Sequence, residues 1–184
     1  MAKTELVLKY VNDDFGKPLP DGTYRIRGDI KTYCLVVDGV EVINLTVEYE
    51  RFQETQKEYS NAYISYDNKF FLYPNSPYTN KGYATIALDT ITESLLREGL
   101  VPRITLNITD DNLKSKRVAE KVGYKHVKSD EYSVYSPNAL KMYEQGLAYL
   151  KESDYELYEM QLKFKIDDMK RYIDSAIESF KKTK

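Results

Sequence analysis

The fold of this 184-residue chain is decided by the segment from residue 78 to residue 84, which reads Tyr78-Thr79-Asn80-Lys81-Gly82-Tyr83-Ala84. The segment follows a strand-like region, and the apolar spacing changes at Lys81 from that of a strand to that of a helix. One helical face then carries the apolar residues Ala84, Leu88, Ile91 and Leu95. Gly99 is the predicted end of this helix.

The predicted start of this helix is suited to binding an anion. Its first backbone N–H groups have no partner inside the helix, and the helix dipole adds positive potential at the same end. Gly82 lets the backbone approach an anion closely, and Ala84 keeps the neighbouring contact small. The segment therefore predicts a site for a pyrophosphate. Taken alone, the pattern also fits an ordinary loop-to-helix turn, which is the commoner case.

The chain before this segment is predicted to form strands. Asp38-Gly39 separates two β-rich runs, Ile30–Val37 and Val40–Tyr49, which is a strong hairpin signal. In the second run apolar and mostly polar residues alternate, as in a sheet that is covered on one face. Further strands are predicted at Glu5–Tyr10, Thr23–Arg27 and Asn61–Tyr73, the last with a bulge or turn at Asp67-Asn68.

After the first helix the pattern returns to a strand, then a helix, then strand character. Arg103–Ile108 is the strand, and the second helix is capped near Asn112 and ends at Gly123. Tyr124–Tyr135 again has strand character. A strand–helix–strand passage implies a crossover between parallel strands. The fold class is therefore α/β (α+β), with a mixed and partly parallel central sheet.

Composition excludes several classes of function. The net charge of −2 gives no electrostatic case for nucleic-acid binding. A single histidine, His126, and a single cysteine, Cys34, exclude a two-histidine metal site and an internal disulfide, and no metal is expected. No apolar run is long enough for a signal peptide or a membrane span. We expect a cytoplasmic protein that does not bind membranes.

The C-terminal part of the chain has a different pattern. From residue 137 to residue 182 apolar residues recur at spacings of three and four, which predicts two amphipathic helices with a break near Glu152–Asp154. We therefore expect two units, an α/β domain at 1–136 and a helical extension at 137–184. The extension either forms a homodimer or binds another partner, or it packs within the chain, which is the commoner case.

Two motifs in order resemble those of the GNAT acetyltransferases. Thr79–Ala84 resembles the acetyl-CoA loop pattern Arg/Gln-x-x-Gly-x-Gly/Ala, with Thr79 in the place of the basic residue. Leu106-Asn107-Ile108, then Asn112, Ser115 and Arg117–Tyr124, resembles the second motif. This run looks like the branch that includes the ribosomal-protein N-terminal acetyltransferases. The resemblance covers roughly residues 60 to 135.

The resemblance implies a GNAT-type sheet with helices on both faces and acetyl-CoA as the acetyl donor. It places coenzyme binding on the strand before the loop, on the loop itself and on the second helix. The implied residues are Phe71, Leu72, Tyr73, Thr79, Asn80, Lys81, Gly82, Tyr83, Ala84, Asn112 and Ser115. Asn112 would hold the pantetheine arm, or it would serve only as a helix cap.

Catalytic roles are also implied by the resemblance. A backbone N–H near Phe71–Tyr73 would stabilise the oxyanion, and separation of this strand from Arg103–Ile108 would admit the thioester. Ser115 would lie near the sulfur as a proton donor or thiolate partner, or it is a neutral surface serine. Many family members have a tyrosine where this chain has Ala119. Glu48 and Glu50 are candidate general bases, although solvated surface glutamates are the commoner case.

The implied function is N-acetyl transfer to a primary amine by direct attack within a ternary complex. The acceptor would be a peptide N-terminus or a small-molecule amine. The alternative is a GNAT-fold interaction module with weak or no catalysis, which acts through the C-terminal helices.

Overall fold

The computed structural model describes residues 2–12, 29–51 and 58–153, together with residues 156 and 159. Within these ranges the chain forms seven strands and three helices. In chain order they are β1 (Thr4–Asn12), β2 (Ile30–Val37), β3 (Val40–Arg51), β4 (Tyr59–Asn68), α1 (Tyr83–Glu98), β5 (Arg103–Asn107), α2 (Leu113–Val122), β6 (Lys125–Lys128), β7 (Glu131–Tyr135) and α3 (Ala139–Ser153).

All seven strands belong to one mixed sheet, in the order β1-β2-β3-β4-β5-β7-β6. Only β4 and β5 pair in parallel, and α1 connects them. The other neighbouring pairs are antiparallel. The predicted mixed, partly parallel sheet is therefore confirmed.

The main core lies between one face of the sheet and the helices α1 and α2. The apolar face of α1, predicted from its spacing, is buried against strand residues such as Val47 and Ile104. α2 adds Ala119 and Val122 to the same cluster. Each helix ends at a left-handed glycine, Gly99 and Gly123 respectively, as predicted.

The third helix approaches the opposite face of the sheet. Tyr143 of α3 is buried, and its hydroxyl donates a hydrogen bond of 3.1 Å to the Ser60 carbonyl oxygen. Arg103 and Tyr63 lie close enough to influence this phenol. Their neighbours Ile104 and Ala62 point into the α1–α2 core, so Arg103 and Tyr63 project from the other face. Helices on both faces of the sheet are therefore confirmed.

The prediction that a strand continues to Tyr73 is wrong, because β4 ends at Asn68. The Asn68 side chain accepts a hydrogen bond of 2.8 Å from the Phe70 amide and starts a series of turns. The amides of Phe71 and Tyr73 then donate to carbonyl groups three residues earlier rather than to a neighbouring strand. Phe71, Leu72 and Tyr73 are consequently exposed in a turn.

Other sequence predictions are refined or lie outside the described residues. The strand region at Tyr124–Tyr135 is a hairpin of β6 and β7, with Ser129 at a φ of 43° in the turn. The predicted strand at Thr23–Arg27 and most of the second C-terminal helix lie outside the described residues. None of the described helices combines the length and the apolar character that crossing a membrane requires.

Candidate functional site

The two parallel strands of the sheet separate at its centre. β4 pairs with β5 only at Ala62–Ile104 and Tyr63–Thr105. Beyond Tyr63, β4 continues to pair with β3, and β5 continues to pair with β7. The separation that the resemblance implied is therefore present, but it begins inside β4, at residues 64–68, and not along Lys69–Tyr73. Residues 64–68 therefore have no strand partner on the β5 side among the described residues.

Residues 69–79 fold into a tight loop between β4 and the start of α1. The Phe70 and Tyr78 rings pack against each other at a tilt of 38°, with their centroids 4.9 Å apart. The Asn68 side-chain amide donates to the Tyr78 carbonyl oxygen at 3.3 Å, so the end of β4 is tied to the end of the loop. This loop brings the start of α1 to the carboxyl end of β4.

The start of α1 has free backbone donors. Gly82 lies at φ 80° and ψ 4°, in the left-handed region, and Asn80 has a φ of 58°. Within the described part of the chain, no side chain caps this helix, and no protein group accepts a hydrogen bond from the amides of residues 80–85. The exposed Lys81 side chain adds a positive charge beside them. This arrangement fits a diphosphate, which needs several donors and positive potential.

Thr79 does not fit the role that the sequence assigned to it. Its hydroxyl group donates to the carbonyl oxygens of Phe70 and Tyr73, each at 3.0 Å. Its amide donates to the Ser76 carbonyl oxygen at 3.2 Å. Both donors are therefore occupied by the loop itself, so Thr79 closes the loop and is not free to bind a phosphate.

The start of α2 brings Asn112 and Ser115 together. The Asn112 side-chain oxygen accepts a hydrogen bond of 3.1 Å from the Ser115 amide, so Asn112 is the helix cap. This was one of its two predicted roles. The cap uses the oxygen, and the side-chain nitrogen has no partner among the described residues, so the residue can still donate to a ligand. Ser115 is half-buried, and its side chain is within hydrogen-bonding reach of the Tyr66 hydroxyl.

The two candidate bases lie on the face of the sheet away from α1 and α2. The register places Glu48 opposite Tyr63, at the point where β4 and β5 pair. Glu50 is exposed, and its carboxylate accepts a hydrogen bond of 3.4 Å from the Tyr63 hydroxyl. Burial raises the pKa of Tyr63, so this phenol stays protonated at neutral pH. Both carboxylates therefore lie near the point where β4 and β5 pair.

Sequence reasoning missed Tyr63 and Tyr66, two of the three tyrosines of β4. Tyr63 marks the last pair between β4 and β5, and Tyr66 lies in the segment where the strands have separated. The one available signal is the alternation of residues 61–68, which places Tyr66 on the same face as the buried residues Ala62 and Ile64. That signal indicates a face of the sheet but gives no distance to Ser115.

Comparison with solved structures finds similar but distant chains. RimL, a ribosomal L7/L12 alpha-N-protein acetyltransferase in complex with coenzyme A, is 16% identical with a TM-score of 0.45, and the match covers 58% of this chain and 62% of that one. The aminoglycoside acetyltransferase AAC(6')-Ib in complex with coenzyme A is 14% identical with a TM-score of 0.46, and the match covers 63% and 69%. This chain therefore aligns with less than two thirds of the first structure's length. The comparison with curated proteins finds no significant match.

The family comparison covers the elements that form the site. Residues 49–125 match the family model described as the acetyltransferase (GNAT) domain. The matched range contains all of β4, the loop, α1, β5 and α2. It therefore contains both the free amides at the start of α1 and the separation of the two parallel strands. Residues 49–125 of this chain are therefore similar to the GNAT acetyltransferase domain.

Proposed function

We propose that this protein is an N-acetyltransferase, which transfers the acetyl group of acetyl-CoA to a primary amine. The observation that carries the proposal is the row of amides at residues 80–85, which have no acceptor among the described residues and follow a strand that pairs with its parallel neighbour at only two positions. The match of residues 49–125 to the acetyltransferase domain supports it. The acceptor is a peptide N-terminus or a small-molecule amine.

The coenzyme would bind along three elements. The amides at the start of α1 would hold the diphosphate, with Lys81 contributing charge and Gly82 allowing close approach. Asn80, Tyr83 and Ala84 would contribute through their backbone. The pantetheine arm carries amide groups, which would bond to backbone groups of residues 64–68 that do not pair with β5. The Asn112 side-chain amide would donate to the arm from the start of α2.

The chemistry requires an unprotonated amine, a stabilised oxyanion and a stabilised thiolate. Glu48 or Glu50 would accept the amine proton, directly or through water. A backbone N–H within residues 64–68 would donate to the oxyanion. The resemblance implies this role for Phe71–Tyr73, but these residues lie in an exposed turn, so we assign it to residues 64–68 instead. Ser115 would lie near the sulfur.

An acceptor screen tests the proposed function. The full chain is incubated with acetyl-CoA and a panel of peptide and small-molecule amines, and free thiol and acetylated product are measured together. We expect both to appear in equal amounts with at least one amine. Lys81→Glu should weaken coenzyme A binding roughly 5- to 10-fold, because it reverses a charge at the helix start.

The matched control is Lys141→Glu, which makes the same charge change at an exposed position of α3. It should leave coenzyme A binding unchanged. Failure of the wild-type protein to bind coenzyme A would exclude the proposed function. Binding without transfer to any amine would favour the alternative, an interaction module of the same fold.

A further inference from the structure

The turns that follow β4 form an apolar groove of about 650 Å³. Leu72 and Tyr73 line it, and their side chains are 70% and 63% exposed. The described residues that line the groove are uncharged, and they are Phe70, Leu72, Tyr73, Pro74, Asn75 and Ser76. Neighbouring apolar side chains that are exposed around a groove are typical of a ligand or partner site.

Hydrogen bonds hold this groove next to the amides of residues 80–85. The Thr79 hydroxyl donates to the carbonyl oxygens of Phe70 and Tyr73, each at 3.0 Å. The Thr79 amide donates to the Ser76 carbonyl oxygen at 3.2 Å. Thr79 is therefore bonded to three of the residues that line the groove. The next residue, Asn80, begins the row of amides that have no acceptor among the described residues, so the groove and the amide row adjoin in one loop.

The groove lies where one end of coenzyme A needs a place. Residues 64–68 run from the end of β4 back toward its pairing with β5, whereas residues 70–76 lie beyond that end. The diphosphate of coenzyme A carries the pantetheine arm on one side and, on the other, a ribose with adenine. With the diphosphate at the amide row and the arm beside residues 64–68, the adenine is left for the groove.

We propose that this groove binds the adenine of coenzyme A, with the base packed against the Tyr73 ring. This inference rests on the proposed function. A flat and uncharged base matches an apolar and uncharged lining, and proteins commonly bind bases by stacking them on aromatic rings. The Asn75 side chain supplies an amide that pairs with the polar edge of the base.

This site makes the chain selective for its acetyl donor. Free acetyl-CoA has an adenine, whereas a thioester on a carrier protein has a phosphopantetheine arm without a nucleotide. The groove therefore favours the free coenzyme as donor.

The variant Tyr73→Ala tests the inference, because it removes the ring from the groove and leaves the amide row in place. Calorimetry measures two probes, coenzyme A and 4′-phosphopantetheine, which has the arm and one phosphate but no nucleotide. Coenzyme A should bind the variant roughly 10-fold more weakly than the wild type, as expected for the loss of a stacked base. The affinity for 4′-phosphopantetheine should not change. In the wild-type complex, NMR should show nuclear Overhauser effects between the adenine protons and the Tyr73 ring.

Phe71→Ala is the matched control. Phe71 lies in the same turn and is 63% exposed, as Tyr73 is, but it is not among the described residues that line the groove. Its replacement should leave the binding of both probes unchanged. Because both rings are exposed, both variants should fold, which circular dichroism checks.

The outcomes separate this inference from the proposed function. If the wild-type protein does not bind coenzyme A, both fail. If coenzyme A binds and Tyr73→Ala leaves its affinity unchanged, or the adenine protons show no contact with Tyr73, only the adenine site is wrong. Equal weakening by Tyr73→Ala and Phe71→Ala, or of both probes, would also overturn it, since the whole turn would then be disturbed. A groove that instead binds a second copy of the chain would show in sedimentation as a dimer that Tyr73→Ala dissociates, with coenzyme A binding unchanged.

Discussion

At the scale of single residues, Gly82 determines the direction of the free amides at the start of α1. Its φ of 80° lies in the left-handed region, where glycine is favoured and other residues are strained. A Cβ atom at this position would meet no atom within 4 Å, so the space beside it is open. In the proposed complex that space borders the diphosphate.

The variant Gly82→Ala should lower the free energy of unfolding by about 1 kcal/mol, because alanine is strained at a positive φ. It should also weaken coenzyme A binding, roughly tenfold or more, because the new methyl group lies beside the ligand. Urea unfolding and calorimetry measure the two effects.

Gly39 provides a matched control for Gly82. It has a φ of 85° in the β2–β3 turn, and a Cβ there would also meet no atom within 4 Å. Gly39→Ala should cost about the same stability and leave coenzyme A binding unchanged. Equal effects of the two variants on binding would mean that Gly82 does not border the ligand.

At the scale of elements, one ion cluster connects β1, β3 and the residue that follows β4. Glu41 of β3 accepts a hydrogen bond of 2.6 Å from Lys9 of β1, and it also pairs with Lys69, just after β4. Hydrogen bonds from Lys69, which has the larger effect, and from Lys9 lower the pKa of Glu41 to about 2. The carboxylate is therefore charged in the folded protein at any ordinary pH.

This shift predicts a pH dependence of known sign. Because the folded pKa is depressed, the stabilisation is present above the unfolded value near 4.5 and is lost as the pH falls toward about 2. An NMR titration of Glu41 should show the low pKa, and Lys69→Met should raise it. Lys116→Met, which breaks the separate pair with Asp110, should not. An ordinary Glu41 pKa in the wild type would contradict the cluster.

The packing of α3 gives a second prediction at this scale. Tyr143→Ala should lower the free energy of unfolding by about 3 to 5 kcal/mol, because it leaves a cavity at a buried position. Tyr73→Ala, in the exposed turn, should change it by less than about 0.5 kcal/mol. Urea unfolding compares the two. If Tyr143→Ala were as mild as Tyr73→Ala, α3 would not be anchored to the sheet.

Sequence periodicity predicted the regular elements well. The alternation in Val40–Tyr49 and the helical spacing after Lys81 each record which side chains are buried, and burial is what the pattern encodes. The prediction of a strand over Lys69–Tyr73 was wrong because the apolar residues there have the pattern of a buried strand. The Asn68 side chain instead accepts a hydrogen bond from the backbone, and β4 ends at this residue.

The candidate site was predictable only in part. The helix start at Gly82 and the cap at Asn112 are local features, so the sequence could indicate them. The hydrogen bond from the Thr79 hydroxyl to the Phe70 carbonyl oxygen and the approach of Ser115 to Tyr66 depend on contacts between residues that are separated in the chain. Such contacts are set by tertiary packing, which one sequence does not show.

At the scale of the whole molecule, the sheet brings two chemically different regions to one junction. On the face of α1 and α2 are the amides of residues 80–85, which have no protein acceptor among the described residues, and the part of β4 that does not pair with β5. On the other face are Glu48 and Glu50, near the last pair between β4 and β5.

The division of the chain at residue 136 remains a proposal. The first turns of α3 pack on the sheet through Tyr143, so they stabilise the domain whatever the following residues do. The homodimer predicted for the C-terminal helices concerns residues that are mostly outside the described part of the chain. The proposed catalytic account does not depend on it.

Amide NMR of the full chain during titration with coenzyme A tests the central claim most directly, because it observes each backbone donor separately. The account predicts that the amides of residues 80–85 show the largest shifts and that residues 64–68 follow, since the diphosphate and the arm contact these groups. Saturable binding that leaves the amides of residues 80–85 unperturbed would contradict it, as would the absence of binding.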